Sequence, residues 1–184
     1  EQPVYRSQDN ERQKAYYSGK QKMHTLKTQL TTDDEHTIIA VSTAFPGSVH
    51  DKRVAESVGT MERLADGIEL MGDKGYQGLQ SDGRLVRVRW NEGDEEELFF
   101  PRVRTRTPTK KPKGKELCQV EKESNRRLSR IRVRVEHCIG WVKNFKICGQ
   151  QFRCAHSIYT PLLQVVCGLV NLQTQRWKQE SGNE

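Results

Sequence analysis

The sequence has few apolar residues and no long apolar run. Only 34% of its 184 residues are hydrophobic, whereas 30% are charged. The longest apolar stretch, residues 162–172, is interrupted by Gln164 and Gly168, and it is shorter than the roughly 18 residues that a membrane-spanning helix needs. The sequence therefore predicts a protein without a membrane span. Its apolar residues recur periodically, which indicates a folded domain with its own core.

Cysteine is also sparse, and its spacing matches no common framework. The five cysteines are Cys118, Cys138, Cys148, Cys154 and Cys167. An odd number without a CxxC pair argues against a disulfide scaffold and favours a reducing cytosol. A zinc site is an alternative, but its candidate ligands fit no standard zinc spacing. Those candidates are His137, Cys138, Cys148, Cys154 and His156. Small buried thiols are the favoured interpretation.

The signatures of several enzyme classes are missing. The sequence contains no GxGxxG, no Walker loop, no GxSxG and no HExxH. These patterns are typical of dinucleotide-dependent enzymes, P-loop nucleotidases, α/β-hydrolases and zinc proteases, respectively. No motif therefore points to any of these chemistries.

Positive charge is abundant and unevenly distributed. The formal net charge is +7. Residues 101–153 hold 16 Lys and Arg against 4 Asp and Glu, a local charge of +12, and the rest of the chain carries −5. Such a basic segment indicates a polyanionic partner. The alternative is a solvated, extended loop without a partner.

Periodic patterns in the first half predict strands around one helix. Residues 16–30 and 36–42 predict a β-hairpin with a polar turn at residues 31–35. The Ser48-x-x-Asp51 pattern predicts a helix that begins near Ser48 and continues to about residue 64.

A second group of patterns follows this helix. Residues 68–71 predict a strand that ends in the glycine-rich turn 72–78. Residues 85–90 predict another strand, and residues 91–97 an acidic loop.

The second half predicts a basic linker and two helices. Residues 99–116, with three prolines and many Lys and Arg, predict a linker or arm without periodicity. Residues 120–145 predict the longest helix, whose apolar residues share one face. Thr160-Pro161 predicts the start of a last helix that runs from 162 to about 177. The chain is thus expected to have a mixed α/β fold.

The helical face of residues 120–145 is apolar at seven positions. These are Leu128, Ile131, Val135, Cys138, Ile139, Val142 and Phe145. Ser129, Arg132, Glu136 and Lys143 form a polar stripe along its flank, so Glu136 is expected at the edge of the core. Glu136 is also the only acid between Ser124 and the last helix, amid five arginines. A functional carboxylate that a cation neutralises is one explanation. A surface Arg132–Glu136 pair, worth only about 0.3–0.5 kcal/mol, is the other.

Two further acids are candidates for chemistry. Asp73 follows a predicted strand, at the edge where open α/β sheets place ligands; an ordinary turn residue is the alternative. Asp51 is a weaker candidate, because a capping box explains it without chemistry. Carboxylates gathered around Mg²⁺ beside a basic groove suit phosphoryl transfer on nucleic acid.

Four ordered blocks resemble a known family. They are residues 17–27 with Tyr-Ser-Gly-Lys and His-Thr-Leu-Lys, residues 46–51 with Pro-Gly-Ser-Val-His-Asp, residues 73–78 with Asp-Lys-Gly-Tyr-Gln-Gly, and residues 128–143 around Arg-Val-Glu-His. Together they resemble DDE-superfamily transposases of bacterial insertion sequences, in the branch related to eukaryotic PIF/Harbinger elements. The resemblance runs from Glu1 to about Leu172.

The resemblance implies a fold and a set of catalytic residues. The fold is ribonuclease-H-like, a mixed β-sheet flanked by helices, here expected over residues 1–177 with a tail at 178–184. Asp73 takes the role of the second catalytic Asp, Glu136 that of the catalytic Glu, and Asp51 that of a further metal ligand. Two Mg²⁺ (or Mn²⁺) ions are the implied cofactors.

The resemblance also implies the partners. They are DNA at transposon ends and at the target, bound by a homo-oligomer, in a cytoplasmic, nucleoid-associated bacterial protein. Arg132 and Lys143 match the family's late-helix signature and would hold phosphate, whereas Ser129 stands where Tyr is common. The basic residues expected to grip the DNA backbone are Arg102, Arg104, Arg106, Lys110, Lys111 and Lys113.

The first catalytic Asp of the family lies in an Asp-Gly-Thr-Glu segment. Glu1 resembles the last residue of that segment, so the resemblance implies an amino-terminal truncation and a fragment with little catalysis of its own. The helix-turn-helix usual in the family is expected upstream as well. The alternative function is a decayed or domesticated descendant that binds DNA without catalysis.

Overall fold

The computed structural model describes residues 1–91 and 94–181. The chain divides into two compact units, one formed by Glu1–His50 with Ser129–Glu184 and the other by Asp51–Leu128. Strands and helices mix in the described residues, which confirms the mixed α/β class. Among these residues, no helix is both long and apolar enough to cross a bilayer.

The first unit combines six short strands with helices from both chain segments. Its strands are β1 (Gln2–Pro3), β2 (Tyr17–Ser18), β3 (Met23–Lys27), β4 (Leu30–Thr32), β5 (Ile38–Val41) and β6 (Phe45–Pro46). Its helices are α1 (Asn10–Tyr16), the second part of α3 (Gln119–Asn144), α4 (Lys146–Gly149) and α5 (Tyr159–Ser181), with a 3₁₀ turn at His156–Ile158.

Strand β3 is the centre of a four-stranded sheet. It pairs antiparallel with β1, β2 and β6, with Leu26 opposite both Gln2 and Pro46. Strands β4 and β5 form a separate antiparallel hairpin. The predicted hairpin is only partly confirmed, because Leu30 is the one residue of the expected first strand, 16–30, that pairs with β5. The rest of that segment is divided among α1, β2 and β3, and Thr31 and Thr32, which were expected in the turn, belong to β4. The turn begins instead at Asp33, whose carboxylate accepts hydrogen bonds from two backbone N–H groups that follow it.

The core of the first unit forms around α5. Its buried apolar side chains are Val4, Leu26, Ile38, Cys138, Val142, Cys148, Phe152, Tyr159, Leu163, Val166, Cys167 and Val170. The Asn171 side chain fixes α5 against the sheet edge, since its amide both accepts from Ile38 N and donates to Ile38 O at 2.9 Å. Helix α5 begins at Tyr159, earlier than predicted. The Thr160 hydroxyl accepts from Ala44 N at 3.0 Å and thereby connects the helix start to the segment after β5.

The second unit contains the remaining elements. They are α2 (Asp51–Ser57), β7 (Glu69–Met71), a 3₁₀ turn (Lys74–Tyr76), β8 (Gly83–Asn91), β9 (Asp94–Pro101), β10 (Arg104–Arg106) and the first part of α3. The predicted late helix is confirmed almost to the residue. A small core of Ala55, Met61, Leu79 and Val103 holds this unit together.

Helix α2 is much shorter than the sequence predicts. Gly59 adopts φ +63°, a left-handed conformation that ends a helix without steric cost. Its N–H bonds to Glu56 O at 3.2 Å and Thr60 N to Ala55 O at 3.0 Å, the bonding pattern of a Schellman motif. The apolar periodicity beyond Gly59 therefore reflects packing of Met61 into the core and not a continued helix.

Two predictions in the middle of the chain are wrong. The acidic residues expected in a loop at 91–97 belong largely to β9, which pairs with β8. In this pairing Glu97 lies opposite Arg87, and Glu97 Oε1 is 2.9 Å from Arg87 Nε. Residues 92 and 93 of that prediction lie outside the described residues. The basic linker expected at 99–116 includes the end of β9 and all of β10. Strand β10 pairs in parallel with β7. The sequence Arg-Thr-Arg alternates in the way that a strand with one exposed face does, so a basic composition did not exclude a strand here.

Arg102 binds several groups within the second unit. Its guanidinium donates to the backbone O of Met61 and to Leu64 O at 2.7 Å. It also lies 3.3 Å from the Asp66 carboxylate and 3.6 Å from that of Asp82. With 24% of its side chain exposed, Arg102 acts as a clamp on the segment between α2 and β7.

We expect Arg102→Ala to lower the free energy of unfolding by about 2 kcal/mol, since hydrogen bonds from a charged donor are lost together. Arg104→Ala is the matched control. Its side chain is exposed on the neighbouring strand, and its loss should change stability by less than about 0.5 kcal/mol. Urea unfolding followed by circular dichroism measures both. Equal effects of the two substitutions would contradict the clamp.

Candidate active site

Asp73 lies where the sequence places it, just beyond a strand. Strand β7 ends at Met71, and Asp73 caps the 3₁₀ turn that follows. Its Oδ1 accepts a hydrogen bond from Gly75 N at 2.7 Å. This bond orients the carboxylate, so Asp73 is both a turn residue and a positioned acid.

Asp51 converges on the same turn. It is the first residue of α2. A methyl group added at Gly75 would lie 2.3 Å from Asp51 Oδ2 and 2.9 Å from Asp73 Oδ1. The two carboxylate oxygens therefore lie within about 5 Å of each other, a separation that hydrated cations can bridge. The structure thus brings together two of the three predicted acids.

Tyr76 lies beside this pair of acids. Its side chain packs against Gly72, where an added Cβ would be 2.9 Å from Tyr76 Cβ. Burial, and then the negative charges of Asp51 and Asp73, raise the pKa of the Tyr76 phenol well above its ordinary value. The phenol therefore keeps its proton and can act only as a neutral hydrogen-bond partner.

The donor set at Gly75 fits a hard divalent cation. The atoms nearest to an added Cβ at Gly75 are the side-chain atoms of Asp51 and Asp73, and their oxygens are carboxylate oxygens. Over residues 1–91 and 94–181, no group of three or more His, Cys, Asp or Glu side chains is arranged to hold a metal. Two carboxylates are sufficient for Mg²⁺, which keeps several waters and binds through one or two carboxylates plus substrate phosphate.

Glu136 belongs to the other unit and is more exposed than predicted. Its side chain is 60% exposed, and its Oε1 lies 3.7 Å from Arg132 Nη2 one helical turn away. This is the i,i+4 pair that the alternative interpretation predicted. Cys138 and Val142 are buried as expected, but Ile131 of the predicted apolar face is 38% exposed.

The predicted DNA-contacting residues differ in their surroundings. Arg104, Lys110, Lys113 and Lys143 are exposed. Arg106 Nε pairs with Glu69 Oε1 at 2.5 Å, and Lys111 pairs with Glu116.

Buried thiols are confirmed for three of the five cysteines. Cys138, Cys148 and Cys167 are buried, and burial raises the pKa of each thiol, to about 11 for Cys167. Cys118 and Cys154 are exposed, which corrects the prediction for these two.

Sequence reasoning assigned no role to Gly75 or Tyr76. Both lie within the Asp-Lys-Gly-Tyr block that the sequence singled out. A glycine two residues after a candidate acid was the available signal, because a residue without a side chain permits close approach of other groups.

We expect Gly75→Ala to weaken binding of Mn²⁺ by more than about tenfold, because the new methyl group would displace the two carboxylates. Titration calorimetry on the whole chain measures the affinity. Gly19→Ala is the control, since an added Cβ there meets nothing within 4 Å. Unchanged Mn²⁺ affinity in Gly75→Ala would show that the two acids do not form the cation site.

We expect the protein to lose stability as the pH rises above 10, the ordinary pKa of tyrosine. Above that pH the unfolded chain releases the Tyr76 proton while the folded chain retains it, so unfolding becomes more favourable. Tyr76→Phe should reduce the difference in unfolding free energy between pH 9 and pH 11. Part of the loss persists, because burial raises the pKa of Tyr159 in the same direction.

Tyr5→Phe provides the control, because Tyr5 is 56% exposed. It should leave the alkaline loss as it is in the unmodified chain. Urea unfolding at the two pH values measures all three proteins, and an identical loss in Tyr76→Phe would contradict the buried position of the phenol beside the acids.

Known proteins provide an independent comparison. A probable transposase for insertion sequence element IS702, from Microchaete diplosiphon, is 32% identical over 173 residues. The match covers 94% of this chain and 54% of the relative, so the chain spans about half of that protein's length. No solved structure matches the chain significantly. The family model described as DDE superfamily endonuclease matches residues 1–171. The chain therefore belongs to the DDE endonuclease superfamily, as its motif blocks indicated.

Proposed function

We propose that this chain is the catalytic part of a DNA transposase, which cleaves DNA at the ends of an insertion sequence and transfers the cut strand. The observation that carries the proposal is the convergence of Asp51 and Asp73 on Gly75, within two of the motif blocks. The transposase relative supports it, and so does family membership. The ribonuclease-H-like arrangement of the sheet and helices is part of the same proposal.

Asp51 and Asp73 are the proposed ligands for divalent cations, Mg²⁺ or Mn²⁺. Bound cations would activate the attacking oxygen and offset the charge that develops during in-line displacement at phosphorus. The chain's own contribution is positional. Gly75 N holds the Asp73 carboxylate by a hydrogen bond, and the absence of a side chain at Gly75 leaves room for Asp51. Tyr76 remains neutral and adds no further negative charge beside them.

Glu136 is the proposed third acid of the family's catalytic set. Its support is the Arg-Val-Glu-His block on α3. The pairing with Arg132 is compatible with this role, because an exposed pair at 3.7 Å contributes little stability and is easily exchanged for another partner. Arg132 is then released to bind the phosphates of the DNA strand together with the exposed Lys143.

The DNA backbone is the proposed partner of the basic residues. Arg104, Lys110 and Lys113 are exposed and suit direct contact with phosphate. Arg106 and Lys111 would first exchange their carboxylate partners for phosphate, as surface ion pairs readily do. Arg102 contributes by holding the unit together, since its guanidinium is engaged with backbone oxygens. Assembly as a homo-oligomer on the DNA and a nucleoid location in the cytoplasm complete the proposal.

The test is strand cleavage of transposon-end DNA by the full-length protein with Mg²⁺. Asp73→Asn and Glu136→Gln should each lower the cleavage rate by more than about a hundredfold, since losing even a supporting partner of a metal ligand costs up to about that much. Asn at position 73 can still accept the hydrogen bond from Gly75 N, so the fold is preserved.

Asp34→Asn and Glu123→Gln are the matched controls and should cut at the normal rate. Asp34 lies exposed in the β4–β5 turn, and Glu123 lies exposed near the start of α3. All variants should still bind duplex DNA, with an affinity that falls steeply with salt. Salt-dependent binding without cleavage by the unmodified protein would favour the decayed or domesticated alternative. Normal cleavage by Glu136→Gln would remove Glu136 from the catalytic set.

A further inference from the structure

The side chain of Lys27 is mostly buried at the end of β3. It is the last residue of that strand, and only 12% of its side chain is exposed. Lysine is seldom buried, because hiding its charge from water costs free energy unless the ammonium group is paired and hydrogen-bonded. The burial of Lys27 therefore indicates a specific task for its ammonium group.

This ammonium group binds oxygens of two different segments of the first unit. Lys27 Nζ donates a hydrogen bond to the backbone oxygen of Val49 at 2.6 Å. It also lies 3.7 Å from Oε1 of Glu1, whose side chain is likewise 12% exposed. The other carboxylate oxygen of Glu1 accepts a hydrogen bond from the Thr25 hydroxyl at 3.2 Å. Glu1 thus supplies the counter-charge that a buried ammonium group requires, and Val49 supplies a neutral acceptor.

The turn that contains Val49 is fixed to β3 at a second point. Val49 N donates to Pro46 O at 3.0 Å, which closes the turn. Gly47 N donates to Thr25 O at 2.9 Å, and a Cβ added at Gly47 would collide with the Thr25 hydroxyl. The close packing at Gly47 and the hydrogen bond to the Val49 carbonyl together hold residues 46–49 against the strand.

Asp51 follows this fixed turn after one further residue. Helix α2 begins at Asp51, so the direction in which the chain leaves Val49 determines where the first turn of the helix starts. Because peptide units are planar and rigid, a displacement of Val49 would be passed on to Asp51. The Asp51 carboxylate tolerates little displacement, since it approaches Gly75 together with the carboxylate of Asp73.

We propose that Lys27 is a positioning residue for the cation site: its ammonium group fixes the carbonyl of Val49 and thereby the helix start from which Asp51 reaches Gly75. Glu1 keeps the ammonium group in place by balancing its charge. The inference rests on the proposed function in taking Asp51 as a cation ligand. Lys27 does not bind the cation itself, since like charges repel each other. Groups that orient a metal ligand change the affinity for the metal by about ten- to a hundredfold.

The test measures the Mn²⁺ affinity of the whole chain by titration calorimetry. The informative variant is Glu1→Gln/Lys27→Met, which removes both charges together and so leaves neither of them unpaired in the interior. It should bind Mn²⁺ about tenfold more weakly than the unmodified chain. Glu1→Gln alone keeps the hydrogen bond from Lys27 to Val49 and should bind Mn²⁺ with nearly the unmodified affinity.

The sign of the change separates positioning from charge. The step from Glu1→Gln to the double variant removes a positive charge, which on electrostatic grounds alone strengthens the binding of a cation. Lys20→Met makes the same change at an exposed position in the β2–β3 turn and should not weaken binding. Weaker Mn²⁺ binding after the loss of Lys27 therefore reports a displaced ligand.

Asn171→Ala controls for a general loss of stability in the first unit. It removes the two hydrogen bonds between α5 and Ile38 and leaves the contacts of Lys27 intact. Urea unfolding should show that this variant is less stable, whereas its Mn²⁺ affinity should not change.

Equal Mn²⁺ affinity in the double variant and in Glu1→Gln would overturn the inference, and so would an equal loss of affinity in Asn171→Ala. Asp51→Asn distinguishes this failure from a failure of the proposed cation site. If Asp51→Asn weakens Mn²⁺ binding and the double variant does not, only this inference fails. If Asp51→Asn leaves the affinity unchanged, Asp51 is not a ligand and both proposals fail together.

Discussion

The second unit is organised around the missing side chain of Gly75. Two carboxylates approach this position so closely that a single methyl group would collide with both. Like charges at such a separation repel each other, and the repulsion is stronger where water is excluded. The approach is sustained by a hydrogen bond from Gly75 N to Asp73 and by the position of Asp51 at the start of α2. The neighbouring Tyr76 phenol adds no charge, because burial and the two acids raise its pKa.

Much of the rest of this unit holds the two acids in place. Asp73 depends on β7 for its position, and β7 depends on its parallel partner β10. Asp51 depends on α2, which Gly59 ends after two turns so that Met61 enters the core. Arg102, two residues before β10, donates hydrogen bonds to backbone oxygens of the segment after α2 and so connects that segment to the chain that enters β10. As the proposed cation ligands, the two carboxylates need rigid surroundings, because the groups that support a metal ligand affect its affinity for the metal.

In the first unit, α3 and α5 each bury one face and expose the adjoining faces. Cys138 and Val142 of α3 are buried, while Glu136 points toward solvent and Trp141 packs edge to face against Trp177. Helix α5 shows the same division along its length, with a buried face that ends at Thr174 and a partly exposed Trp177 one turn further on. The helical repeat makes this possible, since residues one position apart point about 100° away from each other.

Structure that depends on neighbouring residues was predicted well from the sequence, and structure that depends on pairing with other segments was predicted poorly. The long helix α3 was predicted almost to the residue, because its apolar periodicity is a local signal repeated many times. The acidic segment of β9 was mistaken for a loop, since its strand structure depends on pairing with β8. Helix α2 was predicted too long, because the sequence pattern did not reveal that Gly59 takes a left-handed conformation.

Sequence alone determined the family of this protein and the identity of its candidate acids. Four motif blocks in a set order are a property of the chain itself, and they require no knowledge of how distant segments meet. Only the tertiary structure decided that the Asp51 and Asp73 carboxylates meet at Gly75, that the Arg102 guanidinium binds backbone oxygens, and that Trp141 packs against Trp177. Each of these outcomes depends on contacts between residues far apart in sequence, and such contacts are determined by the packing of the whole unit.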